Sequence, residues 1–210
     1  MIDVTEKAVQ IVKGDGLPVG LKVFSESVPL DEEWPLFREI ETTVSNKSPF
    51  SDARSRRVRN PKKLTSLQAA SRQRMESIEN LRASELDNTF LIHYSSGGVP
   101  FHVDGEDEGT VVASENIGTD RVLRLRRRLN GELVEAYNVL LRRRWAYVLT
   151  EYSRYQLEHG FWVGFDSPSP EEWSFDQDTF ISKDTFCDEK ITQQPGCSIT
   201  HRNTIILSMS

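Results

Sequence analysis

Residues 94–108 read Tyr-Ser-Ser-Gly-Gly-Val-Pro-Phe-His-Val-Asp-Gly-Glu-Asp-Glu, and the triplet His102-Val103-Asp104 lies at their centre. Successive side chains of a β-strand alternate between its two faces, so a His and an Asp two positions apart point to the same side. An imidazole nitrogen and a carboxylate oxygen placed in this way can bind one cation together. Taken alone, the triplet also fits an ordinary exit from a strand into a turn.

Short β-rich runs surround this triplet, separated by Gly, Asn, Asp or Ser. Short strands without long helices between them favour an antiparallel barrel or sandwich. Upstream, residues 30–44 carry apolar side chains at helical spacing after a candidate N-cap, Asp31, and predict an amphipathic helix. The predicted fold class is therefore α+β and mainly β. The β-rich runs are residues 90–94, 109–113, 121–125, 135–141, 145–149 and 204–209.

The composition predicts a soluble globular chain. The 210 residues include 26 Lys and Arg against 32 Asp and Glu, a formal net charge of −6, and 37% are apolar. No apolar run approaches the roughly 18 residues that cross a bilayer, and the first residues lack the pattern of a secretory leader. Cys187 and Cys197, as free thiols or as a local disulfide, are sparse enough to favour a reducing compartment. We expect a monomer of the nucleus or cytoplasm without membrane contact.

Basic residues are clustered along the chain. Six of the ten residues 54–63 are basic, and arginines cluster again at 124–128 and 142–144. Each cluster alone is typical of a solvated surface. Three clusters together favour binding to a polyanion such as nucleic acid. The candidate contacts are Arg54, Arg57 and Lys62.

A third ligand for the cation is available downstream. His159 follows a β-rich run and precedes Gly160. Two His and one carboxylate leave three positions of an Fe(II) ion open for a bidentate acid and for oxygen. Arg202, which we expect to begin the last strand, could neutralise the far carboxylate of a bound keto-diacid. The remaining histidines, His93 and His201, are expected to face away from this site, because each precedes a candidate site residue on a strand.

Three segments taken together resemble the AlkB family of Fe(II)/2-oxoglutarate dioxygenases. They are residues 94–108, residues 116–123 (Asn-Ile-Gly-Thr-Asp-Arg-Val-Leu) and residues 152–161 (Tyr-Ser-Arg-Tyr-Gln-Leu-Glu-His-Gly-Phe), in the order and spacing of the family. The resemblance covers Phe90 to Met209. The long loop before the last strand is similar to the eukaryotic branch known as AlkB homologue six.

The resemblance implies a double-stranded β-helix (jelly-roll) core with N-terminal helices. On this basis residues 1–89 form a helical and basic extension packed on the core, and residues 90–210 form the core with an inserted loop at 164–198. It also implies roles for individual residues. His102, Asp104 and His159 would bind Fe(II) and carry catalysis, Arg202 would pair with the C5 carboxylate of 2-oxoglutarate, Tyr94 and Thr204 would also contact this co-substrate, and Glu106 would contact the substrate.

Two positions depart from the pattern of the family. Ile92 stands where the family often has Asn, and Ser208 stands where a second Arg commonly follows Arg202. These departures leave one guanidinium rather than two near the co-substrate. They predict weaker binding of 2-oxoglutarate or altered substrate contacts, while the set of three metal ligands is complete.

The expected activity is oxidative demethylation of N-alkylated DNA or RNA, with consumption of 2-oxoglutarate and oxygen. Two alternatives stay open, because a barrel with its metal ligands does not select a substrate. One is a protein hydroxylase or demethylase with the same chemistry. The other, favoured by Ile92 and Ser208, is a catalytically silent module that binds nucleic acid or protein.

Overall fold

The computed structural model describes residues 9–13, 17–47, 55–82, 85–94, 97–105, 108–163 and 196–203. Within these ranges, no helix is both long enough and apolar enough to cross a membrane. The elements in chain order are β1 (Val9–Lys13), β2 (Leu21–Phe24), α1 (Leu30–Lys47), β3 (Ser55–Arg59), α2 (Ser66–Ile78), β4 (Asn88–Tyr94), β5 (Gly97–His102), β6 (Val112–Ile117), β7 (Arg121–Leu129), β8 (Glu132–Leu141), β9 (Ala146–Leu149), α3 (Glu151–Tyr155), β10 (Glu158–Val163) and β11 (Gly196–Arg202).

The strands form two sheets with antiparallel pairing. The order is β1-β8-β7-β10-β5 in the smaller sheet and β2-β9-β6-β11-β4-β3 in the larger one. From β4 to β11 the chain crosses repeatedly between the sheets, so that β4, β6, β9 and β11 lie in one and β5, β7, β8 and β10 in the other. Eight strands connected in this way form a jelly roll. The predicted fold class is confirmed.

Apolar side chains from both sheets fill the space between them. The inner positions of β7 and β8 alternate along each strand, as Leu123 and Leu125 and as Tyr137 and Val139 show, and all four are buried in one cluster. A second cluster lies beneath α1, where the buried residues Leu36, Phe37, Ile40 and Val44 follow helical spacing and pack with Leu91 and Ile199. The predicted helix thus covers the larger sheet.

The N-terminal region differs from the expected helical extension, because its strands complete both sheets. β1 pairs with β8, β2 with β9, and β3 with β4. Of these, β3 reads Ser-Arg-Arg-Val-Arg and carries a single apolar residue. A strand of this composition gives little hydrophobic periodicity, and its pairing with β4 is a contact between distant parts of the sequence.

The last described strand also differs from expectation. β11 begins at Gly196, inside the predicted loop 164–198, and ends at Arg202, which we expected to begin a strand. β11 lies between β4 and β6 in the larger sheet. Residues 164–195, with Cys187, and the β-rich run 204–209 lie outside the described residues.

Candidate metal centre

Two neighbouring strands bring the predicted ligands together. His102 ends β5 and is the register partner of His159 on β10. Directly opposed residues of an antiparallel pair project from the same face, and the two imidazole rings lie 4.4 Å apart between centroids. The turn after β5 then adds Asp104. One ligand atom from each of these three residues lies within 4.8 Å of the other two.

The spacing of the donor atoms fits a single metal ion. His102 Nε2 lies 3.4 Å from Asp104 Oδ1, and His159 Nε2 lies 3.5 Å from Asp104 Oδ2. Ligand atoms bound about 2.1 Å from one ion and at right angles to each other would be about 3 Å apart. Asp104 Oδ2 is buried and has no hydrogen-bond partner among the described residues. A cation would satisfy this oxygen.

The hydrogen bonding of His102 prepares it to bind a metal. Its Nδ1 lies 2.9 Å from the carbonyl oxygen of Pro100, so Nδ1–H donates to that carbonyl in the neutral ring. In the neutral ring the proton is therefore on Nδ1, and the lone pair of Nε2 is available to a metal ion. A hydrogen bond of this kind fixes both the tautomer and the ring orientation of metal-binding histidines.

Burial and neighbouring charges shift the pKa values of all three candidate ligands. Burial raises the pKa of Asp104, but the hydrogen bond with His102 and the electrostatic interactions with His159 and Arg202 outweigh it and hold that pKa well below its usual range. Burial lowers the pKa of His159 to about 3, against the attraction of Asp104. Burial also lowers the pKa of His102, yet contacts with Asp104 and Pro100 raise it overall. The structure therefore favours an ionised Asp104 beside a neutral His159.

Arg202 belongs to the immediate surroundings of Asp104. Its Nη2 donates a hydrogen bond to Asp104 Oδ1 at 2.7 Å, and its Nη1 donates to Glu108. Its guanidinium also lies over the ring of Phe90, 4.5 Å from the centroid. Both terminal nitrogens of Arg202 therefore bind acids, and Arg202 orients the carboxylate of a candidate ligand. The expected pairing of Arg202 with a co-substrate carboxylate stays a prediction.

Arg154 is a residue of this site that the sequence did not reveal. It lies on α3 with no exposed surface, and its two terminal nitrogens donate to the carbonyl oxygens of Asp104 and Gly105 at 3.1 and 2.8 Å. These bonds fix the backbone of the turn that carries Asp104. The available signal was its position five residues before His159, within segment 152–161, but a lone arginine in a helical turn is typical of a surface.

The other predicted site residues are spread over the molecule. Tyr94 on β4 is fully buried, and its hydroxyl lies 3.0 Å from Ser198 Oγ. Arg57 is exposed on β3. Lys62 is exposed and lines a cavity of about 400 Å³ together with Lys63 and Arg72. Three predicted residues, Arg54, Glu106 and Thr204, lie outside the described residues.

His93 and His201 lie away from the metal centre, as predicted. His93 packs edge-on against Phe37 of α1, with ring centroids 6.0 Å apart, and its Nε2 lies 3.6 Å from Glu41. His201 is fully buried under α2, where its ring nitrogens lie 3.0 Å from the hydroxyls of Ser71 and Thr89. Both histidines hold helices against the larger sheet.

Comparisons with known proteins agree with this architecture. No protein-family model matches the chain, and no curated protein sequence matches it. Among solved structures, OsALKBH1 is similar with a TM-score of 0.60 and 12% identity, over 90% of this chain and 100% of that chain. A Pseudomonas putida prolyl-4-hydroxylase has a TM-score of 0.51 and 14% identity, over 88% of this chain and 92% of that chain.

These similarities show a shared fold. The fold and the site together define a jelly-roll protein with a cluster of two histidines and one carboxylate. The similarity to OsALKBH1 also agrees with the resemblance of the sequence to the AlkB family. The AlkB homologue six branch stays a prediction.

Proposed function

We propose that this chain is an Fe(II)- and 2-oxoglutarate-dependent dioxygenase of the AlkB type that demethylates N-alkylated bases in DNA or RNA. The observation that carries the proposal is the cluster His102, Asp104 and His159 on a jelly roll. Two histidines and one carboxylate with open positions on the metal are the ligand set of non-haem Fe(II) oxygenases. The similar folds of OsALKBH1 and of a prolyl-4-hydroxylase support this assignment.

When bound, iron supplies the activation of oxygen that converts 2-oxoglutarate into succinate and carbon dioxide and inserts one oxygen atom into a C–H bond of the substrate. The second oxygen atom of O₂ enters succinate. If the C–H bond belongs to an N-methyl group, the product is a hemiaminal. Its C–N bond breaks, the proton of the hydroxyl group passes to the nitrogen, and formaldehyde leaves.

The residues of the chain would hold and orient the metal, and they differ in their exposure to solvent. Asp104 and His159 have side chains only 2% and 3% exposed, whereas the side chain of His102 is 38% exposed. Arg202 holds the carboxylate of Asp104, and Arg154 holds its backbone. Substrate therefore approaches from the side of His102, and the opposite side is closed to water.

A series of hydrogen bonds and ion pairs connects the candidate metal centre with the basic strand β3. Asp104 is bonded to Arg202, Arg202 to Glu108, and Glu108 lies 3.6 Å from Arg59 on β3. Arg57 is two residues before Arg59 and therefore shares its face of the strand. Basic side chains beside a reactive site are suited to the phosphate backbone of a nucleic acid, whose target base must be unpaired or flipped out of its stack.

The test is the product formed from defined substrates. With Fe(II), 2-oxoglutarate and oxygen, we expect the full chain to release formaldehyde from an oligonucleotide that carries N-methylated bases, in step with succinate. His102→Ala should abolish both products without lowering the thermal midpoint of the metal-free protein. His93→Ala, a histidine outside the site, serves as the matched control. Turnover that persists in His102→Ala would remove the assigned ligands.

A second candidate is hydroxylation or demethylation of a protein side chain, which the fold similarity to a prolyl-4-hydroxylase favours. Methylated and unmodified peptides, assayed in parallel with the oligonucleotide, distinguish the protein activity from the nucleic-acid activity. Product from peptides alone would replace the nucleic-acid assignment with the protein one. Failure to bind Mn(II), the redox-stable substitute for Fe(II), would leave a binding module as the better description.

A further inference from the structure

A buried positive charge lies in the barrel at a distance from the metal centre. Arg121, the first residue of β7, is 1% exposed. Among the described residues no carboxylate forms an ion pair with it, and its Nε and Nη2 have no hydrogen-bond partner. An arginine stays protonated even when buried, and a buried charge without a partner is strongly unfavourable. An anion bound beside Arg121 would stabilise this charge, and the described side chains do not provide one.

The surroundings of Arg121 supply an aromatic ring, a glycine and hydroxyl groups but no acid among the described residues. The guanidinium carbon lies 3.9 Å from the centroid of the Tyr94 ring, an attraction that compensates only part of the desolvation. A Cβ atom on residue 196 would lie 2.2 Å from Arg121 Nη2, so the guanidinium occupies its position because that residue is glycine. The Tyr94 hydroxyl, held near Ser198, adds a neutral hydrogen-bonding group.

The positive charge and the metal centre face the same interior. Arg121, Leu123 and Leu125 alternate onto one face of β7, and Leu125 is the register partner of His159. Four residues of strand, about 13 Å, therefore separate the backbone of Arg121 from that of the ligand pair. The phenol of Tyr147 interacts electrostatically with both Arg121 and Asp104. An arginine side chain and a five-carbon dicarboxylate can together span this distance.

We propose that Arg121, assisted by the hydroxyl of Tyr94, binds the carboxylate of 2-oxoglutarate that points away from the metal, and that Gly196 keeps this position open. The inference rests on the proposed function and reassigns the role expected of Arg202. Arg202 is engaged by Asp104 and Glu108 at the metal end of the site. Arg121 is a buried cation without an ion pair to any described acid, and its Nε and Nη2 have no hydrogen-bond partner among the described residues.

The first experiment compares two keto acids on the Mn(II)-loaded full chain. 2-Oxopentanoate has the carbon chain of 2-oxoglutarate but a methyl group in place of the distal carboxylate. Calorimetric dissociation constants should show a preference for 2-oxoglutarate of about 10- to 100-fold, the range of one charge-assisted hydrogen bond or pair of bonds. Arg121→Met, which keeps the volume and removes the charge, should abolish this preference and leave the affinity for Mn(II) unchanged.

Matched variants show which arginine is responsible. Arg124→Met removes another buried arginine of β7 from the opposite face of the strand and should keep the preference. Arg202→Met should weaken Mn(II) binding through Asp104. Gly196→Ala keeps the charge of Arg121 but crowds its side chain. This variant should bind 2-oxoglutarate more weakly and Mn(II) with unchanged affinity. A preference that survives in Arg121→Met, or one that is lost only in Arg202→Met, would overturn the inference.

A metal-free arm separates this inference from the proposed function. Glutarate carries two carboxylates but no keto group, and it should raise the thermal midpoint of the metal-free wild type and not that of Arg121→Met. If the wild type binds no Mn(II) but shows this glutarate effect, the proposed function fails and the anion site stands. If neither glutarate nor 2-oxoglutarate stabilises the wild type, the anion site is refuted.

Discussion

His159 and His201 are both buried, and burial lowers the pKa of each to about 3, yet their surroundings differ in kind. In the region under α2, each ring nitrogen of His201 lies 3.0 Å from a hydroxyl, that of Ser71 or that of Thr89. In the metal centre, Nδ1 of His159 has no partner among the described residues, and Nε2 faces Asp104 at 3.5 Å.

The comparison separates a histidine that stabilises the fold from one that serves a site. A buried polar group is normally satisfied by hydrogen bonds, and His201 follows this rule completely. His159 does not: its Nδ1 has no hydrogen-bond partner among the described residues, and its Nε2 lies beside a carboxylate oxygen that is also unsatisfied. Burial and pKa alone do not distinguish the two residues. The hydrogen-bond partners do.

Metal binding should give the largest difference between the two histidines. His159→Ala removes one of three ligands, and we expect the affinity for Mn(II) to fall by more than about 100-fold, beyond the effect of losing an outer partner of a ligand. His201→Asn, measured by the same Mn(II) titration, should bind as the wild type does. Similar losses in both variants would mean that the contrast between the regions does not reflect metal binding.

The loss of stability should show the opposite order, with a larger loss for the His201 variant than for the His159 variant. His201→Ala leaves the hydroxyls of Ser71 and Thr89 unpaired and opens a cavity under α2, so we expect the metal-free protein to lose about 3 kcal/mol of unfolding free energy. His159→Ala should cost less in the absence of metal, because it breaks no hydrogen bond between described residues. Urea unfolding of both variants measures the difference, and an equal loss would contradict it.

The loss of stability in acid should be a smaller effect than those above. Both histidines should contribute to it, because burial lowers the pKa of each. The pKa of His201 is about 3 in the folded protein against an ordinary value of 6.5, so below pH 6.5 the unfolded state binds more protons and stability falls as the pH falls. This contribution is fully present above pH 6.5 and decreases by about 2 kcal/mol between pH 6.5 and 5.0.

His201→Asn removes this group, so the metal-free variant should lose less stability over the same pH interval. Urea unfolding at several pH values gives the slope for each protein. The wild type and His201→Asn should differ by about one proton bound on unfolding. Parallel pH profiles would show that His201 does not remain neutral in the fold.

The sequence predicted two members of the candidate metal site because their signal is local. His102 and Asp104 are two residues apart, and their shared side of a strand follows from backbone geometry. His159 and the jelly roll followed from the resemblance of three ordered segments. The helix at residues 30–44 was also predictable, since its apolar face repeats at helical spacing.

The buried arginines were not predictable in this way. Arg121 and Arg154 are among the largest fully buried side chains, yet in the sequence they look like any surface arginine, because composition carries no information on burial. The role of Arg202 depends on Glu108, more than ninety residues earlier in the chain. The strands β1 and β2 were missed for a related reason, since their pairing with β8 and β9 is set by tertiary contacts.

The position of β11 in the larger sheet has a consequence for biosynthesis. β11 is inserted between β4 and β6, so the centre of that sheet forms only after residues 196–202 have been translated. Until then β4 and β6 each present a row of unpaired backbone groups, and such open edges promote association between chains. A ribosome that stalls before Gly196 therefore releases a chain whose two open edges favour aggregation.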